Sequence, residues 1–403
     1  MTIKPITYFD NNATTQVSQG VLEAMLPFYR ESYGNPSSMH HFGGNLSLQI
    51  AQAREQVAAL IGAESTEVVF TSCGSEGNNS AIRSALSNNS SRRRIITTAV
   101  EHPCVLNVAK QLQSEGYDLV VIGVDGDGQL DLGQLEEALK VPTALVSTMA
   151  ANNETGVVFP LEAIGQLVKT AGALWHVDAV QLAGKAPIDL RSLPVDLLTL
   201  SAHKIHGPKG VGALYVRRAT RFQPWLLGGH QERGRRAGTE NVAGLVGFGQ
   251  AAEEAKEAIE SGVIAQVAKL RNRLEQGLLA RIPDCVVNGG GTTRLGNTSN
   301  IGFKYIEGEA ILFSLDSHGI CASSGSACTS GSLEASHVLR AMAIPYSVLH
   351  GSIRFSLSRF STEEQVDLTL QVMPEIVDRL RQLSPFSDDD VSWLQQMELA
   401  PNP

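Results

Sequence analysis

The chain has 403 residues, which is enough for about two domains with substantial cores. Hydrophobic residues make up 43% of it, and the formal net charge of −9 argues against a nucleic-acid-binding protein. No apolar run reaches membrane-spanning length and the first residues lack the apolar stretch of a signal peptide, so we expect a cytoplasmic protein without a membrane partner. The five cysteines form no CxxC pair, which argues against a disulfide framework and a metal site.

Helical and strand-like patterns alternate from about residue 45 to residue 258, which is typical of an α/β fold. Helices are predicted at 45–61, 80–86, 132–139 and 161–172, with a helix-rich stretch at 242–279. Strands are predicted at 67–70, 95–100, 119–124, 144–150, 174–177, 195–200 and 211–216. From residue 282 the pattern changes to the shorter elements of a smaller α+β unit, and residues 251–259 are the predicted hinge. We therefore expect a large domain of residues 15–258 and a small domain of residues 1–14 and 259–403.

Two strand ends in the first half carry polar side chains. The strand at 67–70 runs into a turn rich in glycine and hydroxyl groups, residues 71–79, ahead of the helical pattern at 80–86. A helix N-terminus after such a turn offers backbone N–H groups to a phosphate, although a plain connecting turn explains this segment equally well. The strand at 95–100 leads to His102, which is placed to face a ligand; a buried structural histidine is the alternative.

Lys204 follows the strand at 195–200, within the segment DLLTLSAHKIHGPKG of residues 196–210. Ligands of open α/β sheets bind at such strand ends, and Ser201 and His203 are side chains suited to a phosphate. This arrangement is typical of a lysine that forms a Schiff base with pyridoxal phosphate (PLP). Asp178, at the end of the strand 174–177, could pair with the pyridine nitrogen. A solvated lysine and a helix-capping aspartate are the alternatives.

Three later segments carry further chemistry. The loop at 222–241, which includes GGHQERGRRAGTEN, is long enough to be functional or to lie in an interface. Residues 320–332 are nearly all small, so Cys328 is not explained as a core residue. The strand-like pattern at 350–360 offers Arg354 for a carboxylate.

With Lys204, His102, Asp178, Cys328 and Arg354 in place, the chain resembles the cysteine desulfurases. The resemblance is strongest to their nitrogen-fixation (NifS) type, among the class V aminotransferase-like PLP enzymes. It extends from YFDNNATT at residues 8–15 to about Phe386 and includes GNPSS, EHP, NNETG, GGHQERGRRAGTEN and SSGSACTSGS. It implies the PLP-dependent transferase fold of the aspartate aminotransferase type, with a mostly parallel sheet in the large domain and the cysteine loop on the smaller α+β domain.

The resemblance also implies a role for each matching residue. Lys204 would bind PLP and move protons, and His102 would stack on the pyridine ring and relay protons. Asp178 would pair with the ring nitrogen and Gln181 with the phenolic oxygen. The phosphate would be held by Gly74, Ser75, Ser201 and His203, joined by Thr239 from the neighbouring subunit of a homodimer. Arg354 and Asn153 would bind the substrate carboxylate, and Cys328 would be the nucleophile. Many relatives carry threonine in place of Ser75, and both residues supply a hydroxyl.

The implied reaction removes sulfur from L-cysteine and yields L-alanine and a persulfide on Cys328. The sulfur would then pass to an acceptor or iron–sulfur scaffold protein for cluster assembly, including that of nitrogenase. A different PLP enzyme, such as an aminotransferase or a selenocysteine lyase, is the first alternative. The segment around Cys328 argues against a plain aminotransferase, whereas selenocysteine stays open as a second substrate. A non-catalytic sulfur carrier or scaffold is the second alternative, and Lys204, Asp178 and His102 argue against it.

Overall fold

The computed structural model describes residues 6–88, 91–324 and 335–385. The strands are β1 (Thr7–Tyr8), β2 (Val68–Thr71), β3 (Arg94–Thr98), β4 (Asp118–Ile122), β5 (Thr143–Met149), β6 (Leu174–Asp178), β7 (Leu197–Ser201), β8 (Gly212–Val216), β9 (Cys285–Val287), β10 (Thr298–Phe303), β11 (Ile320–Cys321) and β12 (Ser352–Ser356). The helices are α1 (Gln19–Met25), α2 (Pro27–Arg30), α3 (His41–Gly44), α4 (Leu46–Leu60), α5 (Gly74–Ser87), α6 (Pro103–Ser114), α7 (Leu132–Ala138), α8 (Leu161–Ala171), α9 (Val242–Glu260), α10 (Val263–Arg281), α11 (Gly308–Ser317), α12 (His337–Ala341), α13 (Tyr346–Leu349) and α14 (Glu363–Leu383).

A seven-stranded sheet in the order β2-β8-β7-β6-β5-β3-β4 forms the centre of the described chain. Strand β8 runs antiparallel to both of its neighbours, whereas β7, β6, β5, β3 and β4 are parallel to one another. The predicted mostly parallel sheet is confirmed, and each predicted strand lies within two residues of its observed bounds. The carboxyl ends of the five parallel strands meet at one edge, where ligands of such sheets bind.

Helix α5 begins six residues earlier than predicted, at Gly74 rather than Ser80. Cys73 is its N-cap, and its Sγ accepts a hydrogen bond from Glu76 N at 3.5 Å. The glycine that suggested a turn allows close packing instead, because a Cβ on Gly77 would lie 2.7 Å from Thr199 Cγ2 of β7. The first turn of α5 therefore lies directly against the end of a central strand.

A second core lies beside a three-stranded antiparallel sheet, β12-β10-β9, and a parallel pair formed by β1 and β11. Its buried side chains include Phe9, Leu274, Phe303, Phe355 and Met373. These residues come from the N-terminal segment and from positions after residue 259, as the predicted small domain would require. The exact division into domains stays a prediction.

Two local expectations differ from the structure. Residues 251–259, the expected hinge, lie inside α9, and Ala251 and Ala255 are buried in the core of the large sheet. The break between α9 and α10 falls instead at Ser261 and Gly262, and the φ of 80° at Gly262 suits glycine. The strand expected over residues 350–360 is limited to Ser352–Ser356, because the chain turns soon after its register with β10 ends. In the part of the chain that the structure describes, no helix is both long and apolar enough to cross a membrane.

Candidate active site

A cavity of about 310 Å³ lies at the carboxyl edge of the parallel strands. It brings together ten of the residues expected from the sequence: Gly74, Ser75, His102, Asn153, Asp178, Gln181, Ser201, His203, Lys204 and Arg354. Thr239 is exposed and is not among the residues that line this cavity. Cys328 lies outside the described residues. The sheet edge thus gathers side chains that are up to 280 positions apart in the sequence (354 − 74 = 280).

Lys204 reaches the cavity from a short 3₁₀ turn, Ala202–Lys204, that follows β7. Its Nζ donates hydrogen bonds to Asn12 O at 2.5 Å and to Ala13 O at 2.7 Å. The N-terminal segment therefore forms one side of the lysine site. Sequence reasoning missed this contact, because backbone carbonyls leave no side-chain signal, although YFDNNATT was noted as a motif.

The N-terminus of α5 lies at the cavity and offers a place for an anion. Gly74 and Ser75 lie in its first turn, where unpaired N–H groups and the helix dipole favour a phosphate. Ser201 Oγ is buried and forms no hydrogen bond with any described residue. Because buried hydroxyl groups nearly always have a partner, this orphaned atom fits a bound phosphate oxygen. His203 lines the same cavity, and burial together with Lys204 lowers its pKa to about 4, so its imidazole is neutral.

Asp178 is the last residue of β6, and Gln181 follows three residues later. Asp178 Oδ2 accepts a hydrogen bond from Asn78 Nδ2 at 2.6 Å, and its Oδ1 accepts one from Val180 N at 3.0 Å. Gln181 Nε2 donates to Asn12 O at 3.0 Å, whereas its Oε1 accepts from Lys185 Nζ at 2.6 Å. These contacts set which end of the amide is the donor.

Asn78 and Lys185 donate hydrogen bonds to predicted site residues, Asp178 and Gln181, and sequence reasoning missed both. Asn78 is fully buried and lies within the segment that was interpreted as a phosphate-binding turn. Lys185 lies four residues after Gln181, and burial lowers its pKa, with Lys204 and Arg354 adding to the effect. Each of the two residues is recognised by a hydrogen bond to a distant segment, from Asn78 to Asp178 and from Lys185 to Asn12. Such contacts can be seen only in the folded structure.

His102 is the N-cap of α6, and its Nδ1 accepts a hydrogen bond from Cys104 N at 3.2 Å. Burial lowers the pKa of His102; Asp178 opposes this effect, and Lys204 and His337 add to it. The neutral imidazole is therefore favoured. The neighbouring Glu101 is completely buried, and burial together with Asp178 raises its pKa to about 8.

Arg354 lies on β12 and is only 2% exposed. Its guanidinium donates to Asn153 O at 3.0 Å and to Asp10 Oδ1 at 2.7 Å. The buried Nε makes no hydrogen bond within the described ranges, so a donor remains for a ligand. The two residues expected to bind a carboxylate, Arg354 and Asn153, thus contact each other at the cavity wall.

The donor set of this cavity fits PLP. The cavity is lined by a lysine amine, a buried carboxylate, an amide donor and an imidazole. It also contains the N-terminus of α5 and the unpartnered hydroxyl of Ser201. Each of these groups matches one part of the cofactor: the aldehyde, the ring nitrogen, the phenolic oxygen, the ring face and the phosphate. Lys204, Asp178, Gln181 and His102 are the residues that would hold the ring.

Comparison with known proteins agrees with this geometry. The model of the family "Aminotransferase class-V" matches residues 7–369. A cysteine desulfurase of Trichormus azollae is 63% identical over 393 residues, covering 98% of each chain. Cysteine desulfurase NifS of Azotobacter vinelandii is 53% identical over 380 residues, covering 94% of each chain.

The fold agrees as well. The solved structure of a NifS-like protein superposes with a TM-score of 0.86 at 40% identity, covering 93% of this chain and 100% of that one. The expected transferase fold is confirmed by this likeness, and PLP is the cofactor of the family. The chain belongs to the class V aminotransferase family and, within it, to the cysteine desulfurases.

Proposed function

We propose that this protein is a PLP-dependent cysteine desulfurase that converts L-cysteine to L-alanine and leaves the sulfur on Cys328 as a persulfide. One observation carries the proposal: Lys204, Asp178 and His102 line one cavity together with the α5 N-terminus and Arg354. A non-catalytic sulfur carrier would have no use for this combination of amine, carboxylate and imidazole.

The cofactor, when bound, would supply an electron sink for the bond that breaks at the substrate Cα. Lys204 would bind it through Nζ and, once the substrate amine has displaced it, carry the Cα proton. The carbonyls of Asn12 and Ala13 lie within 2.7 Å of Nζ and would hold the freed amine in place. Asp178 would keep the ring nitrogen protonated, which preserves electron withdrawal, and Asn78 holds the carboxylate for that task.

Arg354 would bind the substrate carboxylate through a charge-assisted hydrogen bond, with Asn153 beside it. The Cys328 thiolate would attack the substrate sulfur, so that an S–S bond forms while the C–S bond breaks. The electron pair of the broken bond goes to the carbon, which is then protonated to alanine, and His102 would supply or relay this proton. L-cysteine and one thiol give L-alanine and one persulfide, so no outside oxidant or reductant is needed.

We infer that the active form is a homodimer. Large apolar side chains are exposed on two stretches, near residues 29–48 and 225–227. They are Tyr29, Tyr33, Met39, Phe42, Leu48, Trp225, Leu226 and Leu227. Pro36 and Ser47 of the first stretch line one cavity together with His230, three residues after the second stretch, so the two stretches are neighbours in space. Such a patch favours a protein partner, and a second copy would bring Thr239 to the phosphate of the neighbouring site.

We further propose that the persulfide sulfur is passed to an acceptor or scaffold protein for iron–sulfur cluster assembly, including that of nitrogenase, in the cytoplasm. The similarity to NifS supports this role.

The test follows the purified protein through one turnover. The absorption spectrum should show bound PLP and should change when L-cysteine is added, and alanine should appear in step with the change. Mass spectrometry should find one additional sulfur atom on the peptide that contains Cys328. A colourless protein, or sulfide release from a Cys328→Ser variant at the normal rate, would overturn the proposal.

A further inference from the structure

Asn78 and Cys104 link two groups of the cavity that sequence reasoning treated separately. Asn78, on the second turn of α5, is 0% exposed. Its Nδ2 donates to Asp178 Oδ2 at 2.6 Å and to Cys104 Sγ at 3.1 Å. An amide nitrogen carries two hydrogens, so these two contacts use both of them.

Cys104, on the first turn of α6, continues this chain of contacts to His102. Its Sγ lies 2.9 Å from His102 Nδ1. Burial and the charge of Asp178 raise the pKa of the Cys104 thiol to about 12, so the sulfur keeps its proton. Asn78 and Ser75 both donate to Sγ, and His102 Nδ1, which already accepts the backbone N–H of Cys104, is the acceptor left for the thiol hydrogen.

Two donors therefore point at the same imidazole nitrogen. The backbone N–H of Cys104 donates to His102 Nδ1 at 3.2 Å, and the thiol of the same residue is the second donor. A ring nitrogen that accepts hydrogen bonds cannot carry the proton, so the proton of the neutral ring must be on Nε2.

We propose that Asn78 and Cys104 are positioning residues, Asn78 orienting the Asp178 carboxylate and Cys104 holding His102 as its neutral, Nε2-protonated tautomer. The catalytic meaning of this assignment rests on the proposed function, in which His102 handles protons, whereas the tautomer itself does not depend on it. The inert thiol next to the catalytic histidine would thus set the direction in which that histidine can give or take a proton.

The charges around His102 determine the expected effect of removing the thiol. Asp178 favours the protonated ring, whereas Lys204 and His337 disfavour it. Glu101 is the other acidic group there and holds its own proton, because its pKa is raised to about 8. Loss of the S–H donor removes one interaction that favours the neutral ring, so the pKa of His102 should rise.

The test compares Cys104→Ala with Cys104→Ser in the full-length protein, both PLP-loaded and stripped of PLP. NMR of isotope-labelled histidine reads the protonation state of each ring nitrogen, and the His102→Gln variant identifies the signal. The wild type and Cys104→Ser should both carry the proton on Nε2, since serine restores a donor. Cys104→Ala keeps the backbone N–H donor but loses the thiol, so its preference for Nε2 should weaken and the pKa of His102 should rise by roughly half a unit to one unit.

Turnover gives a second and separate measurement. The acidic limb of the kcat/KM profile against pH should move to higher pH in Cys104→Ala. In Cys104→Ser it should lie at its wild-type position. A wild-type proton on Nδ1, or a Cys104→Ala variant with an unchanged tautomer and pKa, would overturn the positioning role. If the tautomer is as stated but no L-cysteine is turned over, the proposed function fails and the positioning role stands.

Asn78 is tested through the cofactor. Asn78→Leu keeps the number and branching of the side-chain heavy atoms but has no amide donors, so Asp178 loses a partner and PLP should dissociate roughly tenfold more readily. Asn79→Leu is the control, because that neighbour is half-buried rather than buried and its amide donates to Ser75 O instead of to Asp178. Equal PLP affinity in the two variants, each melting cooperatively, would exclude a positioning role for Asn78.

Discussion

At the scale of single residues, Lys204 and Arg354 line the cavity, and Lys185 lies beside Gln181. Lys185 donates to Gln181 Oε1 and to Asn12 Oδ1; burial lowers its pKa, and Lys204 and Arg354 add to the effect. Lys204 donates to two backbone carbonyls close by. Two basic groups in one cavity, Lys204 and Arg354, favour anionic ligands, which suits a cofactor phosphate and a substrate carboxylate.

Lys204→Ala should abolish alanine formation, because the variant loses both the amine that binds PLP and the group that carries the Cα proton. Alanine release from L-cysteine is the measurement. Lys209→Ala is the matched control, since this lysine is exposed in the same segment and should leave turnover near the wild-type rate. Alanine production by Lys204→Ala at the control rate would contradict the assignment.

Arg354→Lys should raise the KM for L-cysteine roughly thirty- to a hundredfold, as expected for loss of about 2–3 kcal/mol of charge-assisted hydrogen bonding. A lysine has no planar fork, and it would remain close to the Asp10 carboxylate that now binds Arg354. Steady-state kinetics measure the effect, and an unchanged KM would count against carboxylate binding by Arg354.

Glu101 should make stability depend on pH. Its pKa is raised from 4.5 to about 8 in the fold, so the folded state holds a proton that the unfolded chain releases in this interval. The free energy of unfolding should therefore fall as pH rises from 4.5 to about 8, by at most about 1.4 kcal/mol per pH unit. Above about pH 8 this contribution should stay constant.

The neutral variant Glu101→Gln removes this titration. Urea unfolding at several pH values measures the effect. The free energy of unfolding of the variant should increase relative to that of the wild type as pH rises toward 8. Parallel curves for the two proteins would mean that Glu101 does not hold the extra proton.

At the scale of elements, a buried ion pair ties the loop of residues 222–241 to the large sheet. Glu232 accepts hydrogen bonds from both terminal nitrogens of Arg54 on α4, at 2.5 and 2.7 Å, and from Phe70 N of β2 at 2.9 Å. Glu232 has a φ of 49°, a backbone conformation that the surrounding contacts must hold. This anchor fixes the course of the loop that leads to Thr239.

Glu232→Ala should lower the free energy of unfolding by about 3 kcal/mol or more, because it leaves Arg54 without its carboxylate partner in a site where little water can replace it. Urea denaturation gives the value. Glu260→Ala breaks an exposed pair with Lys256 and should leave the midpoint nearly unchanged. Similar losses in the two variants would show that the loop is not anchored by this pair.

At the scale of the whole molecule, the exposed apolar stretches near residues 29–48 and 225–227 should mediate dimerisation. Light scattering should give the mass of two chains. The double variant Met39→Glu with Leu227→Glu should shift the protein toward the monomer and reduce turnover, since Thr239 could no longer reach the neighbouring site. Phe313→Glu is the control, because Phe313 is 77% exposed elsewhere on the surface. An active wild-type monomer would refute the dimer.

The sequence by itself determined the parallel sheet and most of the cavity wall. Apolar runs predicted the strands, and the polar residues after them, such as His102, Asp178 and Lys204, had to meet at one edge because parallel strands end on the same side. Residues recognised through family motifs, such as Gln181 and Arg354, were found in the same cavity.

Only the tertiary structure decided the contacts that orient these residues. The start of α5 at Gly74 depends on packing against β7, which local periodicity does not encode. The hydrogen bonds from Asn78 to Asp178 and Cys104 join positions up to 100 residues apart. A hydrogen bond requires atoms within about 3 Å of each other, and that proximity is a property of the folded chain rather than of any one segment.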